Sequence, residues 1–251
     1  MITGEADIVT TQQPPKRIPR PPHARGLAVA TATRGAMLPR ILPFATYIAF
    51  IIAADVLARG GVAPADLRWL YPIKIGAVLA LLLAWRRHYA ELTQRPSRRQ
   101  CAVALGTGVA VFLLWIALDA GWMQIGHSAG FNPEAASGDI DWLLVAARAG
   151  GAALVVPVME ELFWRSFLLR WLQQHDFLTL RPALVRGKAI AVSVLLFGIE
   201  HHLWLAGLVA GTAYTLLYLR SETLWTPILG HAVTNGLLAA WILVTGNWTY
   251  W

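Results

Sequence analysis

Long apolar stretches alternate along this chain with short segments rich in arginine, proline and glycine. Segments 41–57, 69–85, 101–123, 189–205, 207–219 and 225–245 each read as an apolar helix. Most approach the roughly 20 residues needed to cross a hydrocarbon layer about 30 Å thick. A further stretch, 142–174, reads as one long helix bent near Pro157, whose ring crowds the preceding turn and removes a backbone donor. The expected fold is therefore all-α: a polytopic transmembrane helix bundle of seven spans, or eight if 142–174 breaks in two, around an intramembrane polar cavity. No internal repeat of 20–50 residues stands out, so neither a solenoid nor an inverted-repeat transporter gains support.

Composition strengthens this picture. Hydrophobic residues make up 57% and charged residues 14% of the 251, against about 25% charged in ordinary soluble domains, and the mean hydropathy is +0.52. The net charge of +7 could suggest nucleic acid, but the basic residues gather in loops between apolar runs. They occupy the N-terminal tail, 86–99, 181–188 and Arg220, whereas 124–141 carries Glu134, Asp139 and Asp141 with no Lys or Arg. That asymmetry is the positive-inside pattern. It places the N-terminus in the cytoplasm of a protein integral to the membrane, expected to be the bacterial inner membrane, with the lipid bilayer as partner and no nucleic acid. Residues 1–38, basic and proline-rich, read as a disordered cytoplasmic tail; 39–141 as accessory transmembrane helices; and 142–251 as the segment carrying the chemistry. Cys101 is the single cysteine, which excludes an internal disulfide and a multi-cysteine metal site.

Three polar sets lie inside apolar spans. Glu160 and Glu161 are followed by Arg165; Glu200, His201 and His202 end another span; His231 and Asn235 lie four apart on the last. An ionised carboxylate at bilayer depth costs about 2.5–3.5 kcal/mol on insertion scales, so such groups persist when paired or used. Glu161 and Arg165, four apart, share a helix face and can pair; Glu160 points about 100° away with no local partner. At 1.5 Å per residue, His201 lies roughly 20 Å and His231 roughly 10 Å from the basic ends of their helices, in one slab with Glu160. Three helices can thus present Glu160, His201, His231 and Asn235 to one cavity. That set suits water activation, with Glu160 and His201 as base and His231 and Asn235 donating to a developing oxyanion. Asp55, Lys74, Asp119 and Arg148 read as partners for other polar groups or as snorkelling side chains, Ser166 as a helix-packing residue, and Gly207 with Gly211 as a close helix contact.

Glu160-Glu161-x3-Arg165, Phe197-x3-His201 and His231-x3-Asn235, in that order on successive apolar segments, resemble the CPBP family, which comprises CAAX prenyl endopeptidases and the bacteriocin-processing and self-immunity (Abi) proteins. The resemblance covers about residues 142–245. It implies an intramembrane endopeptidase, a hydrolase acting on a membrane-associated polypeptide, with Glu160 catalytic, His201 joining it in activating water, His231 and Asn235 forming the oxyanion pocket, and Glu161 with Arg165 holding the site together. The family has been discussed both as metalloproteases and as metal-independent glutamate proteases. No cofactor is required by the sequence, and a divalent metal such as zinc stays open; its ligands here would be Glu160, His201 and His231. Glu200 stands where the family usually carries an apolar residue. Two other readings remain: a haem- or metal-binding membrane protein using His201 and His231, and a non-catalytic immunity or scaffold protein that retains the pocket.

Overall fold

The computed structural model describes residues 22–126, 128, 130–134 and 138–251, with side chains from Gly35 onward except that of Pro64. It is helical, with α1 (Pro22–Arg59), α2 (Leu70–Ala84), α3 (Arg98–Ala117), α4 (Trp142–Trp171), α5 (Gly187–Glu200), α6 (Trp204–Ser221) and α7 (Trp225–Thr245). The segment expected as a tail lies outside the described residues up to 21, and from Pro22 the backbone is already helical.

Helix boundaries follow local chemistry. Ser97 and Gln100 form a reciprocal capping box at the start of α3, which satisfies two orphan donors. The Asp141 carboxylate accepts from the N–H groups of Leu143 and Leu144, both at 3.1 Å, and so starts α4. Glu222 and Gly246 take the left-handed conformation that ends α6 and α7.

Among the described residues five helices are long and apolar enough to cross a bilayer: α1 from Gly35, α2 extended back to Ala65, α3, α4 and α7. Their outward faces carry exposed large apolar residues such as Ile52, Leu154 and Val244, as a lipid-facing surface requires. The protein is an integral membrane helical bundle. Two expected spans are revised. The third ends at Ala117 rather than 123. The fifth ends at Glu200 rather than 205 because the His201 ring takes the Phe197 carbonyl at 2.7 Å. An uninterrupted helix would offer that carbonyl to the His201 backbone N–H, which instead bonds to Gly198. At 14 residues, α5 is about 21 Å long, short of the hydrocarbon thickness.

The expected bend in α4 is spread over two wide turns. Gly151–Val155 and Leu162–Leu168 are π-helical, and between them Val156–Glu161 is an α-helical segment carrying both glutamates. Such π turns concentrate at functional sites. One apolar core, including Tyr71, Val78, Val155, Met159, Leu162 and Leu224, joins the 39–141 and 142–251 segments.

Arg40, just before the first apolar run, is fully buried. Its guanidinium donates to both Glu91 oxygens at 2.8 and 2.6 Å and to Ser166 Oγ at 3.1 Å. The Ser166 hydroxyl in turn donates to Glu91 and accepts from Arg170 Nη2 at 2.9 Å. Ser166, expected as plain packing, is thus the junction of a polar clamp between α1, the α2–α3 loop and α4. Burial alone would raise the Glu91 carboxyl, but the bonds to Arg40 and Ser166 outweigh it and hold it below its ordinary 4.5. A depressed folded value stabilises above the unfolded value and is lost as pH falls through the folded one. The clamp is therefore expected to keep its full contribution above about pH 4.5 and to fail on further acidification, whereas Glu91→Gln removes that acid-dependent component. Thermal unfolding in detergent against pH, for both proteins, checks this.

Candidate active site

The two glutamates of α4 have separate partners. Glu161 is fully buried and faces Arg165 one turn on: Nη1 donates to Oε1 at 3.1 Å, and Nε lies 3.1 Å from Oε2. The guanidinium also donates to the Gly211 carbonyl at 3.3 Å and lies 4.3 Å over the Phe197 ring. This is the pair that the i,i+4 spacing predicted. The pair also has a third member that the sequence did not reveal: His231 Nδ1 bonds Glu161 Oε1 at 3.1 Å. A carboxylate only accepts, so Nδ1 carries a proton. Tyr214 stacks on His231 with ring centres 4.9 Å apart, and its hydroxyl donates to Thr234 at 2.8 Å.

Glu160 is buried but opens onto a cavity of about 1010 Å³, which His201, Glu200 and His202 also line. One of its oxygens, Oε2, is buried without a hydrogen-bond partner, an unusual state for a carboxylate. His201 is fixed where α5 ends. Its Nδ1 donates to the Phe197 carbonyl, which leaves Nε2 as the acceptor, and its ring is wedged between Phe197 (4.6 Å) and Trp115 (5.4 Å). His202, which lines the same cavity, bonds the Ile125 carbonyl at 2.7 Å through Nδ1. Glu200 acts electrostatically on Glu160 and brings a second carboxyl to the same wall.

Gly207 and Gly211 let α5 and α6 approach closely. A Cβ at Gly207 would lie 3.0 Å from the Gly198 carbonyl oxygen and 3.3 Å from His201 Cβ. Neither neighbour is a flexible tip, so Gly207→Val is expected to displace His201. Turnover should fall by about tenfold or more, as a 1 Å misplacement can cause, beyond what any loss of folded protein explains. Rates normalised to the folded fraction check this.

His231 and Asn235 do not line the cavity wall formed by Glu160 and His201. His231 is buried behind it against Glu161, and Asn235 donates from Nδ2 to the Ala152 carbonyl at 2.8 Å, tying α7 to the first π turn of α4. The expectation of four residues on one cavity surface is thus met by two, with the other pair one layer back. The reason is Glu161, which draws His231 inward. Nor do Glu160, His201 and His231 converge as ligands. Among the described residues no three His, Cys, Asp or Glu side chains are grouped to hold a metal ion. This arrangement does not fit a metal centre.

The remaining intramembrane charges divide. Asp55 pairs with Arg59 at 2.8 Å, and Asp119 accepts from the Tyr250 hydroxyl at 2.7 Å. Lys74 and Arg148 contact aromatic rings beside the cavity.

Residues 142–237 match the family described as Rce1-like, type II CAAX prenyl endopeptidase. That span holds Glu160, Glu161, Arg165, His201, His231 and Asn235. That segment is similar to the CPBP family. Comparison with curated proteins and with solved structures gave no match. The similarity supports intramembrane endopeptidase activity of the CAAX type in general.

Proposed function

We propose that this protein is an intramembrane endopeptidase that hydrolyses a peptide bond with a water activated by Glu160 and His201. The observation that carries the reading is that Glu160, one of whose oxygens is unpartnered, lines the same cavity as a histidine whose Nδ1 is already committed. A carboxylate with a free lone pair and an imidazole with a free Nε2 can together hold and deprotonate one water. The proton then passes to the amine that leaves as the C–N bond breaks, and the water oxygen stays on the new carboxyl group. His231 stands behind the pair, its ring oriented by Glu161, with Asn235 one turn on along α7. A shift of the π turn that holds Asn235 would free its Nδ2–H groups for the developing oxyanion, a role worth about 3–4 kcal/mol for one good donor. The reaction is metal-independent, and the arginine-rich loops support a reading in which the N-terminus faces the cytoplasm, the membrane being a bacterial inner one.

The test is incubation of the purified protein in proteoliposomes with a pool of synthetic apolar peptides, with and without a strong chelator. New peptide ends in both samples are expected. Ends that vanish with chelator and return with zinc would overturn the metal-independent route, and no ends at all would overturn the hydrolase reading.

A further inference from the structure

Glu200 lines the cavity with Glu160 and His201, yet the water-activating pair gives it no task. Nor does a structural role explain it. It is the last residue of α5, where the carbonyl end of a helix disfavours a carboxylate. It also ends an apolar run at membrane depth, where a charge is costly. Among the described residues it forms no ion pair. Arg165 acts on it electrostatically but is already bonded to Glu161.

Two neighbours place its carboxyl. One is the indole N–H of Trp164, a buried residue one turn beyond Glu160 on α4, which makes no other hydrogen bond. The second is Glu160 itself, on which the Glu200 charge acts. Trp164 thus holds a second carboxyl on the side of α4 that carries Glu160. The two differ in access: Glu160 is buried, whereas Glu200 is exposed on the cavity wall. Neighbouring like charges repel in a low dielectric, and one proton held between them removes the repulsion. A carboxyl pair with one proton offers a base and an acid at once. The exposed member is the one that can reach a leaving group.

We propose that Glu200 is the acid that protonates the leaving amine, held in place by Trp164 and recharged with the proton that Glu160 takes from water. The assignment rests on the hydrolase reading above and divides its proton transfers between two carboxyls. The water oxygen bonds to the scissile carbonyl carbon while one water proton moves to the Glu160 carboxylate. The C–N bond then breaks as the nitrogen takes the Glu200 proton, so the amine leaves neutral. The new carboxylic acid keeps the second water proton. Glu160 returns its proton to the Glu200 carboxylate through cavity water, and the pair is restored.

An amine leaves poorly without a proton, whereas a phenolate needs none, and the test uses that difference. Apolar twelve-residue peptides with a central amide bond are compared with the same peptides carrying an ester of 4-hydroxybenzoate at that bond. Wild type, Glu160→Gln, Glu200→Gln and His202→Gln are assayed on both in proteoliposomes. The wild type is expected to cut both, and Glu160→Gln to be slow on both, because each needs an activated water. Glu200→Gln should lower kcat for the amide by about a hundredfold or more, as loss of a general acid does. Its kcat for the ester should stay within about threefold of wild type, with KM for both within about twofold. The ratio of the two rates in one preparation does not depend on how much protein is folded.

Equal losses on amide and ester in Glu200→Gln would make Glu200 an electrostatic or structural group and overturn the proposal. So would no loss on either, or an amide-selective loss in His202→Gln instead, which would give the role to that neighbour. In each of these cases the hydrolase reading stands as long as Glu160→Gln is slow on both. A wild type that cuts neither substrate overturns the hydrolase reading, and the acid with it.

Discussion

Glu160→Gln is expected to lower turnover about a thousandfold, within the 10²–10⁴ range of general acid–base catalysis, and to leave folding intact. Glutamine matches the shape of glutamate but its amide cannot take a proton from water. The Glu160 Oε2 atom has no hydrogen-bond partner, so no buried bond is lost with it. Melting temperature and elution volume in detergent should match the wild type while the cleavage rate collapses. A loss of folded protein in step with activity would mean that Glu160 is structural.

Glu161→Ala is expected to fail in the opposite way. Arg165 is as buried as Glu161 and relies on it for its charge partner, and His231 relies on the same carboxylate for its orientation. Removing one member of a buried pair leaves an uncompensated charge, at a cost of about 3–5 kcal/mol. Apolar replacement of both members is often far milder. Glu161→Leu with Arg165→Leu should therefore recover much of the folded population lost in Glu161→Ala but not the activity, because His231 stays unoriented. Unfolding midpoints and turnover for the single and double variants form the measurement. Equal destabilisation of the two would show that the pair does not act as a coupled unit.

Much of this site was legible in the sequence because helix periodicity is local. Glu161 and Arg165 at i,i+4 announced their own pairing, and the Phe197-x3-His201 spacing matches the bond from the His201 ring to the Phe197 carbonyl. What periodicity could not give was contact between distant segments. The Glu161–His231 bond joins residues 70 apart in sequence, and nothing in either motif encodes it. The end of α5 at Glu200 was hidden because the residues to 205 stay apolar; a side-chain bond to a backbone carbonyl, not composition, stops the helix. The burial of Arg40 was hidden for a related reason. Its partners Glu91 and Ser166 are distant in sequence, and only the fold shows that they enclose it. Lys74 and Arg148 were visible as charges in apolar runs, but the Tyr71 ring that they share was not. The fold class was the easiest part to read, since bilayer thickness sets the length of an apolar run directly.

The central claim, that Glu160 drives peptide-bond hydrolysis within the membrane, is tested most directly in cells. Peptide termini in membranes from cells expressing the wild type are mapped by mass spectrometry against those from cells expressing equal amounts of Glu160→Gln protein. New termini confined to membrane-embedded peptides and present only with the wild type are the predicted result. Identical sets of termini in the two membranes, with both proteins folded and inserted, would contradict it.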